Sequence, residues 1–355
     1  MKKILVALLA LAMVFTLVSC NKSSSSKVLV GVSMPTQSLQ RWNQDGSNMV
    51  SQLKSAGYDS ILQYANNDVT TQVQQIENMI TKGCKILVIA AIDGSSMTDV
   101  LATAAKNNVK VIAYDRLIMQ TPNVDYYATF DNYKVGQLQG KYIVDQLKLD
   151  SASGPFNIEI FAGSPDDNNA KFFFNGAMDV LKPYISSGKL VIKSGQKDFN
   201  VVAITSWTSA TAQSRMDNLI TANYANGTKL DAILSPNDSI AIGIVASLQS
   251  HNYGTADKPY PILTGQDCDK PNVKAVLAGQ QSMSIFKDTR KLASETVTMI
   301  TAMEKAQTPE TNDSKTYNNG VKVVPTELLT PVFVDKSNYK SILIDSGYYK
   351  LSDIQ

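Results

Sequence analysis

Residues 69–93, VTTQVQQIENMITKGCKILVIAAID, combine a helical pattern, a glycine and an apolar run within one short stretch. Apolar residues recur there at helical spacing, at Val73, Ile76, Met79 and Ile80. Gly83 follows in the position of a helix C-terminal glycine. In the stretch 85–91, every residue after Lys85 is apolar without alternation, which is typical of a parallel strand covered on both faces. The stretch therefore predicts an α/β fold built on a parallel sheet.

The same alternation of strands and helices extends over the rest of the chain. Strands are predicted at 28–34, 60–64, 85–91 and 110–114, with helices at 42–55, 69–82 and 97–107 between them. The pattern then starts again, with strands at 126–130, 157–162, 190–194, 232–234, 262–264 and 282–286 and helices at 133–147, 169–184, 210–224, 239–250, 272–278 and 289–304. Residues 321–334 are predicted to be extended, and 339–344 to be a short helix. Two similar units in tandem predict two doubly wound parallel-sheet lobes.

Composition excludes several classes of function. The 355 residues include 33 basic and 31 acidic ones, and the two groups balance once Lys2 and Lys3 are set aside as part of a segment expected to be removed. Such a chain carries no electrostatic footprint for nucleic acid. His251 is the one histidine, so a His-rich zinc site is excluded. No dinucleotide, P-loop or calcium-loop motif is present, and we expect neither cofactor nor metal.

The N-terminus has the layout of an export signal. Lys2 and Lys3 precede the apolar run Ile4–Val18, which is shorter than the roughly 20 residues of a membrane-spanning helix. The tetrapeptide Leu17–Cys20 resembles a bacterial lipobox, in which the cysteine is acylated. We therefore predict a lipoprotein signal peptide at 1–19, lipidation of Cys20 and a serine-rich tether at 20–27. The protein is then expected in the periplasm or at the cell surface, held by lipid.

The sequence does not decide whether the two further cysteines are free thiols or form a disulfide. Cys84 opens an apolar strand, whereas Cys268 lies in a polar loop of the other predicted lobe. An oxidising compartment permits a disulfide. Placement in different lobes argues against it, and Cys84 has the context of a small buried hydrophobe.

Polar and aromatic residues collect where the predicted strands end. They are Arg41, Trp42, Asp93, Asp115, Arg116, Asp131, Asn132, Asp166–Asn169, Trp207, Asn237, Asp238, Gln266, Asp267, Lys287 and Asp288. In open α/β sheets the ligand lies beyond these ends. Carboxylates, amides and arginines bond hydroxyl groups well, and indole rings cover an apolar C–H face. This combination predicts a sugar site.

Seven stretches carry a family resemblance, and they span essentially the whole chain after the signal. They are MPTQSLQRWNQDG (34–46), QIENMITKGCKILVIAAIDG (75–94), VIAYDRLI (111–118), YYATFDNYKVGQLQG (126–140), GSPDDNNAKFFFNGAM (163–178), LSPNDSIAIGI (234–244) and IFKDTR (285–290). They resemble the periplasmic sugar-binding receptors of ABC transporters, most closely the xylose-binding and multiple-sugar-binding ones. The same fold occurs in repressor effector domains, but a signal sequence stands here where repressors carry their DNA-binding segment.

The resemblance implies a type I periplasmic binding protein whose two lobes close over a monosaccharide. Three crossings, near 131–132, 288–289 and 328–330, then form the hinge. The N-terminal lobe is expected at 28–131 plus 289–328, and the C-terminal lobe at 132–288 plus 329–355. The expected partners are the ABC permease and a chemoreceptor or sensor kinase, and the chain is expected to be a monomer without enzymatic activity. The sequence leaves open whether the sugar is xylose, arabinose, glucose or galactose.

The resemblance also implies roles for individual residues. Arg41 and Trp42 would hold and stack the sugar from the first lobe, and Asp115 and Arg116 would bond its hydroxyls. The remaining ligand-binding candidates are Asn132 at the hinge, Asn169, Trp207, Asn237, Asp267 and Lys287 from the second lobe, and Asp93 as a weaker one.

Structural alternatives remain open for some of these residues. Trp42 can be a core residue, and Asp115 or Asn237 can serve as a local cap. The alternative function is a carbohydrate-active enzyme with Asp166 and Asp167 as acid and base. Such carboxyls must flank one bond at about 5–9.5 Å, whereas adjacent residues can point apart and Asp167 suits a helix N-terminus.

Overall fold

The computed structural model describes residues 27–354, so the predicted signal peptide, Cys20 and most of the tether lie outside the described residues. The first sheet has six parallel strands. They are β1 (Leu29–Met34), β2 (Asp59–Tyr64), β3 (Ile86–Ile89), β4 (Lys110–Tyr114), β5 (Tyr126–Phe130) and β11 (Thr326–Leu329), in the order β11-β5-β4-β3-β1-β2.

The second sheet is smaller. Its parallel strands are β6 (Phe156–Ile160), β7 (Leu190–Ile192), β8 (Ala232–Leu234) and β9 (Ile262–Leu263), in the order β7-β6-β8-β9. A bridge from Gln266 to Ile285 connects this sheet to β10 (Ser284–Phe286), which pairs antiparallel with β12 (Val332–Val334). The chain connectivity explains why β12 is antiparallel to β10. Strand β11 ends on the side of the first sheet that faces the second sheet. Strand β12 therefore begins between the two sheets and runs away from the first one.

Helices connect the strands as the sequence predicted, with boundaries that agree to within about two residues. They are α1 (Gln40–Ser55), α2 (Val69–Thr81), α3 (Thr98–Lys106), α4 (Asn132–Gln146), α5 (Asn168–Ser186), α6 (Phe199–Val202), α7 (Ser209–Asn223), α8 (Asp238–Ser250), α9 (Lys270–Ala278), α10 (Thr289–Glu304) and α11 (Leu351–Ile354). The short helices α6 and α11 were not predicted, because four residues carry no readable periodicity. Among residues 27–354, none of the helices combines the length and apolar character that crossing a bilayer requires.

The four central strands of the first sheet, β1, β3, β4 and β5, are buried on both faces, as their continuous apolar sequences predicted, whereas the edge strands β2 and β11 are mostly half-buried. Leu87 and Ile89 pack into the core on one face, whereas Ile86 and Val88 pack into the core on the other. Such double coverage requires helices on both sides of the sheet and confirms the doubly wound architecture. Cys84 and Cys268 are both buried and unpaired, in separate clusters.

Aspartate and asparagine side chains cap several helices that start at the strand ends. Asp131, Asp167, Asn237 and Asp288 each accept a hydrogen bond from a main-chain N–H in the first turn of α4, α5, α8 and α10. A cap of this kind satisfies a donor that the helix itself leaves unpaired. The caps therefore fix where each helix begins relative to the strand before it.

Candidate functional site

The carboxyl ends of the strands in the two sheets face each other across a cavity with an empty volume of about 310 Å³. Its walls are Leu39, Arg41, Trp42, Asp115, Arg116, Asp167, Asn169, Phe173, Trp207, Asn237, Gln266, Asp267 and Lys287. That volume includes space open to solvent, so it describes a cleft and not a closed chamber. The walls of the cleft come from both sets of strand ends.

Most of the predicted site residues meet in this cavity. Its walls include Arg41, Trp42, Asp115, Arg116, Asn169, Trp207, Asn237, Asp267 and Lys287. Asp93 and Asn132 lie outside the walls. Asp93 accepts hydrogen bonds from Ser95 N and Ser96 Oγ at a short 3₁₀ turn. Asn132 is buried beneath the site, with Nδ2 3.4 Å from the Tyr127 hydroxyl.

Four residues of the walls were not among the predicted ligand-binding residues: Leu39, Asp167, Phe173 and Gln266. Phe173 follows Asn169 by four residues on α5, so both lie on one helix face. The four-residue spacing from Asn169 could have identified Phe173 as a wall residue. Because three phenylalanines occur in a row at 172–174, the sequence did not show which of them lines the cavity. Gln266 is one of the strand-end residues named above, but the sequence did not mark it as a ligand-binding candidate.

Arg41 is the centre of the charge network. Its Nε and Nη2 donate to Asp45 Oδ2 at 3.1 and 3.0 Å. Nη2 also donates to Asp115 Oδ2 at 2.8 Å, and Nη1 reaches Asp267 Oδ1 at 3.3 Å. Asp45 is fully buried and accepts a further hydrogen bond from the Tyr114 hydroxyl at 2.6 Å. Asp45 therefore fixes the guanidinium through Nε and Nη2, while Nη2 and Nη1 also bond the cavity residues Asp115 and Asp267.

Three ion pairs connect the two sets of strand ends. Arg41 of the first set pairs with Asp267 of the second. Lys287 Nζ lies 3.0 Å from Asp267 Oδ1 and 3.8 Å from Asp115 Oδ2. Arg116 Nε lies 2.9 Å from Asp167 Oδ2, although its N–H is not aligned for a hydrogen bond. The cations and carboxylates thus compensate each other inside a largely dry site.

The carboxylates of the site differ in their pKa. Burial by itself would raise the pKa of Asp115, but Arg41, Lys287 and Arg116 outweigh that effect and hold the pKa below 3.8. Burial raises the pKa of Asp167 despite the attraction of Arg116. Burial and the nearby Asp267 also raise the pKa of Asp269, behind the cavity, to about 7. Of these three carboxylates, Asp115 is the one whose ionised form the surroundings favour.

Four buried polar atoms in the walls have no hydrogen-bond partner in the protein. They are Trp42 Nε1, Trp207 Nε1, Arg116 Nε and Gln266 Oε1. Buried groups of this kind normally have partners. Arg116 Nε is compensated by the ion pair with Asp167, so two indole N–H donors and one amide oxygen of wall residues remain without a partner. A ligand whose groups both donate and accept, as hydroxyls do, would match them.

Aromatic rings from both lobes contribute to the walls of the cavity. In the first lobe, the guanidinium carbons of Arg41 and Arg116 lie 4.3 and 5.1 Å from the centroid of the Trp42 ring. In the second lobe, Trp207 and Phe173 meet edge to face, with centroids 6.3 Å apart. The aromatic faces add apolar area to a site that is otherwise polar.

The arrangement does not suit a two-carboxylate hydrolase. Asp167 caps α5 by accepting from Asn169 N at 2.9 Å and also pairs with Arg116. Asp166 lies outside the walls of the cavity. Within residues 27–354, no group of three or more histidine, cysteine, aspartate or glutamate side chains is arranged to hold a metal ion.

Two facing α/β lobes with a balanced polar cavity at their strand ends define a binding protein for a small, uncharged, hydroxyl-rich ligand. The chain belongs to the periplasmic binding protein family, whose domain it matches over residues 30–308.

Individual relatives agree with this assignment. The chain is 56% identical to the multiple sugar-binding periplasmic receptor ChvE of Rhizobium radiobacter, over 94% of both chains. It is 36% identical to the D-xylose-binding periplasmic protein of Escherichia coli, over 93% of both. A crystal structure of an ABC transporter solute-binding protein from Clostridium phytofermentans with bound β-D-glucose has 58% sequence identity and a TM-score of 0.89. The match covers 92% of this chain and 100% of that one. These relatives are binding proteins and not enzymes, which confirms the sequence-based expectation.

Proposed function

We propose that this protein is an extracytoplasmic solute-binding lipoprotein that captures a monosaccharide between its lobes and delivers it to an ABC sugar permease. The observation that carries the proposal is the single cavity in which paired charges, two indoles and unpartnered hydrogen-bonding atoms converge. Glucose is the first ligand to test, because a relative with 58% identity binds β-D-glucose. Xylose, arabinose and galactose follow, since one hydroxyl or CH₂OH group distinguishes them.

The proposed hinge crosses between the lobes near 131–132, 288–289 and 328–330. In support, β5 and β11 pair in the first sheet, whereas β12 pairs with β10 beside the second. Helix α10 packs on α1, and Asn48 Nδ2 donates to Thr289 Oγ1 at 2.9 Å. Rotation about these crossings would open the cavity for the sugar and close it for transport.

The proposed partners are the permease subunits and, as a second receiver, a chemoreceptor or sensor kinase. Both would recognise the closed arrangement, in which the two lobes present one continuous surface. The protein itself is proposed to act as a monomer in the periplasm or at the cell surface.

Sugar binding is tested by thermal unfolding and calorimetry with glucose, xylose, arabinose and galactose. We expect at least one of them to raise the unfolding midpoint and to bind with a micromolar Kd, about −8 kcal/mol. The same mixtures are analysed for products, and none is expected. Absence of stabilisation by all four sugars, or repeated turnover of any of them, would contradict the proposal.

Lipidation is tested on the full chain in a bacterial host. Cys20→Ala is expected to move the protein from the membrane fraction to the soluble fraction and to abolish labelling by a fatty acid, because the acylated residue is lost. Cys84→Ala is the matched control, since Cys84 is buried in the first lobe. A Cys20→Ala protein that still sediments with membranes would refute the anchor.

A further inference from the structure

We propose that Tyr127 and Thr129 of β5 are positioning residues that hold Asp115 in a strained turn, and that Asn169 completes this hold from the opposite lobe. The inference rests on the proposed function, because Asp115 and Arg116 are the side chains that the turn would present to the sugar. None of the three positioning side chains needs to contact the ligand for this role.

The turn at Asp115 has an unusual backbone. Asp115 has a φ of +60°, in the left-handed region that non-glycine residues seldom adopt. Arg116 N donates to Tyr114 O at 2.6 Å, so Asp115 is the central residue of a three-residue turn. Turns of this kind with a positive φ are rare and strained. Strain at a buried position persists only where the surroundings enforce it.

Three side chains enforce the turn through one atom. The Asp115 main-chain oxygen accepts hydrogen bonds from the Tyr127 hydroxyl at 2.6 Å and the Thr129 hydroxyl at 2.9 Å. It also accepts one from Asn169 Nδ2 at 2.6 Å. All three side chains are buried, and the Asp115 N–H is satisfied by Ala128 O at 2.8 Å. Both polar groups of this residue's main chain are thus tied to neighbouring elements.

The turn explains how two consecutive residues can line one cavity. In a continuing strand, successive side chains point to opposite faces of the sheet, so Asp115 and Arg116 would diverge. Because the chain turns, Asp115 reaches Arg41 at 2.8 Å while Arg116 reaches Asp167 at 2.9 Å, and both line the same space. Loss of the turn would therefore misplace both charges at once.

The contribution of Asn169 comes from the second lobe. Asn169 is the second residue of α5, and its Oδ1 lies 3.0 Å from the Tyr127 hydroxyl. Its amide thus contacts two groups of the first lobe, the Tyr127 hydroxyl and the Asp115 carbonyl. Separation of the lobes would remove this donor and leave Tyr127 and Thr129 to hold the turn. We infer that closure completes the orientation of Asp115.

The experiment uses matched hydroxyl deletions. Thr129→Val and Tyr127→Phe each remove one donor to the Asp115 carbonyl, whereas Thr129→Ser retains it. Thr296→Val and Tyr58→Phe are controls, because they delete hydroxyls of buried first-lobe residues whose bonds lie away from the cavity. Calorimetry with glucose is expected to show about tenfold weaker binding for the two test variants. Thr129→Ser and both controls are expected to bind like the wild type.

A second readout needs no ligand. In a crystal structure of the protein carrying both Thr129→Val and Tyr127→Phe, the φ of Asp115 is expected to become negative and its carboxylate to move away from Arg41. A φ that stays positive, or equal sugar affinity in Thr129→Val, Thr129→Ser and wild type, would overturn the inference. Wild-type protein that binds no sugar would instead overturn the proposed function, and the φ of Asp115 would still decide the role of the hydroxyls.

Discussion

Asp115→Asn is expected to weaken monosaccharide binding by at least about a hundredfold while both lobes remain folded. The substitution keeps the shape of the side chain and removes its charge. Arg41 and Lys287 then lose an anionic neighbour inside a buried site. Removing one partner of a buried ion pair costs about 3 kcal/mol or more, which corresponds to roughly a hundredfold in affinity. An asparagine also offers a donor where the site presents an acceptor to the sugar.

The loss should fall on ligand binding more than on folding. When the lobes separate, water can solvate the groups that the substitution leaves unpaired, so the open form is affected least. Calorimetry at neutral pH measures the affinity, and thermal unfolding without sugar measures stability. Asp145→Asn is the control, because it removes a carboxylate from an exposed pair with Lys141. Near-wild-type affinity in Asp115→Asn would remove Asp115 from the site.

The pKa of Asp115 also predicts how the wild type responds to acid. Burial opposes ionisation, but the three cations around the carboxylate hold its pKa below 3.8. Because the pKa of Asp115 is lowered in the closed form, the charge of Asp115 stabilises that form at pH values above 3.8. This stabilisation is lost as the pH falls through the lowered pKa. Asp115 therefore keeps its charge in mildly acidic solution. Burial is the main cause that raises the pKa of Asp269 to about 7, so this carboxyl changes its charge near neutral pH.

The residues that line the cavity could largely be predicted from sequence, because the end of a strand follows from chain order. Parallel strands bring their carboxyl ends to one edge of each sheet, so the residues that follow β1 and β4 were expected to lie together, and the family resemblance implied that the second lobe faces them. Asn237 shows that one residue can both cap a helix and line the cavity. Its Oδ1 caps α8 by accepting from Ile240 N at 3.1 Å, and the residue also lines the cavity.

The internal organisation of the site could not be predicted in the same way. Asp45 accepts hydrogen bonds from Arg41 and from the Tyr114 hydroxyl, and both Asp45 and Tyr114 lie in patterns that indicate ordinary core or surface positions. The positive φ of Asp115 leaves no trace in composition or periodicity, since aspartate is not a glycine whose presence marks a turn. Such features depend on contacts between segments that are distant in sequence.

Trp207→Ala is the second substitution for which we expect a large effect, a loss of about a hundredfold in sugar affinity. The indole is buried at the wall of the cavity and meets Phe173 edge to face. Without the ring, the apolar C–H face of the sugar has no aromatic surface to cover it. A hundredfold loss corresponds to about 2.8 kcal/mol of binding free energy. Calorimetry with the best sugar measures the effect.

The local backbone supports a specific role for this ring. Ser206 and Trp207 have φ values of +55° and +57°, a strained pair for two non-glycine residues. Gly163 leaves room for the indole, because a Cβ there would lie 1.9 Å from Trp207 Cη2. Gly163→Ala should therefore displace the ring and reproduce part of the loss.

Two further variants separate stacking from general packing. Trp207→Phe retains an aromatic face and loses the Nε1 donor, so we expect a loss smaller than that of Trp207→Ala. Phe333→Ala removes an exposed aromatic ring outside the cavity and should leave affinity unchanged. Wild-type affinity in Trp207→Ala would show that the ring fills the core and does not contact the sugar.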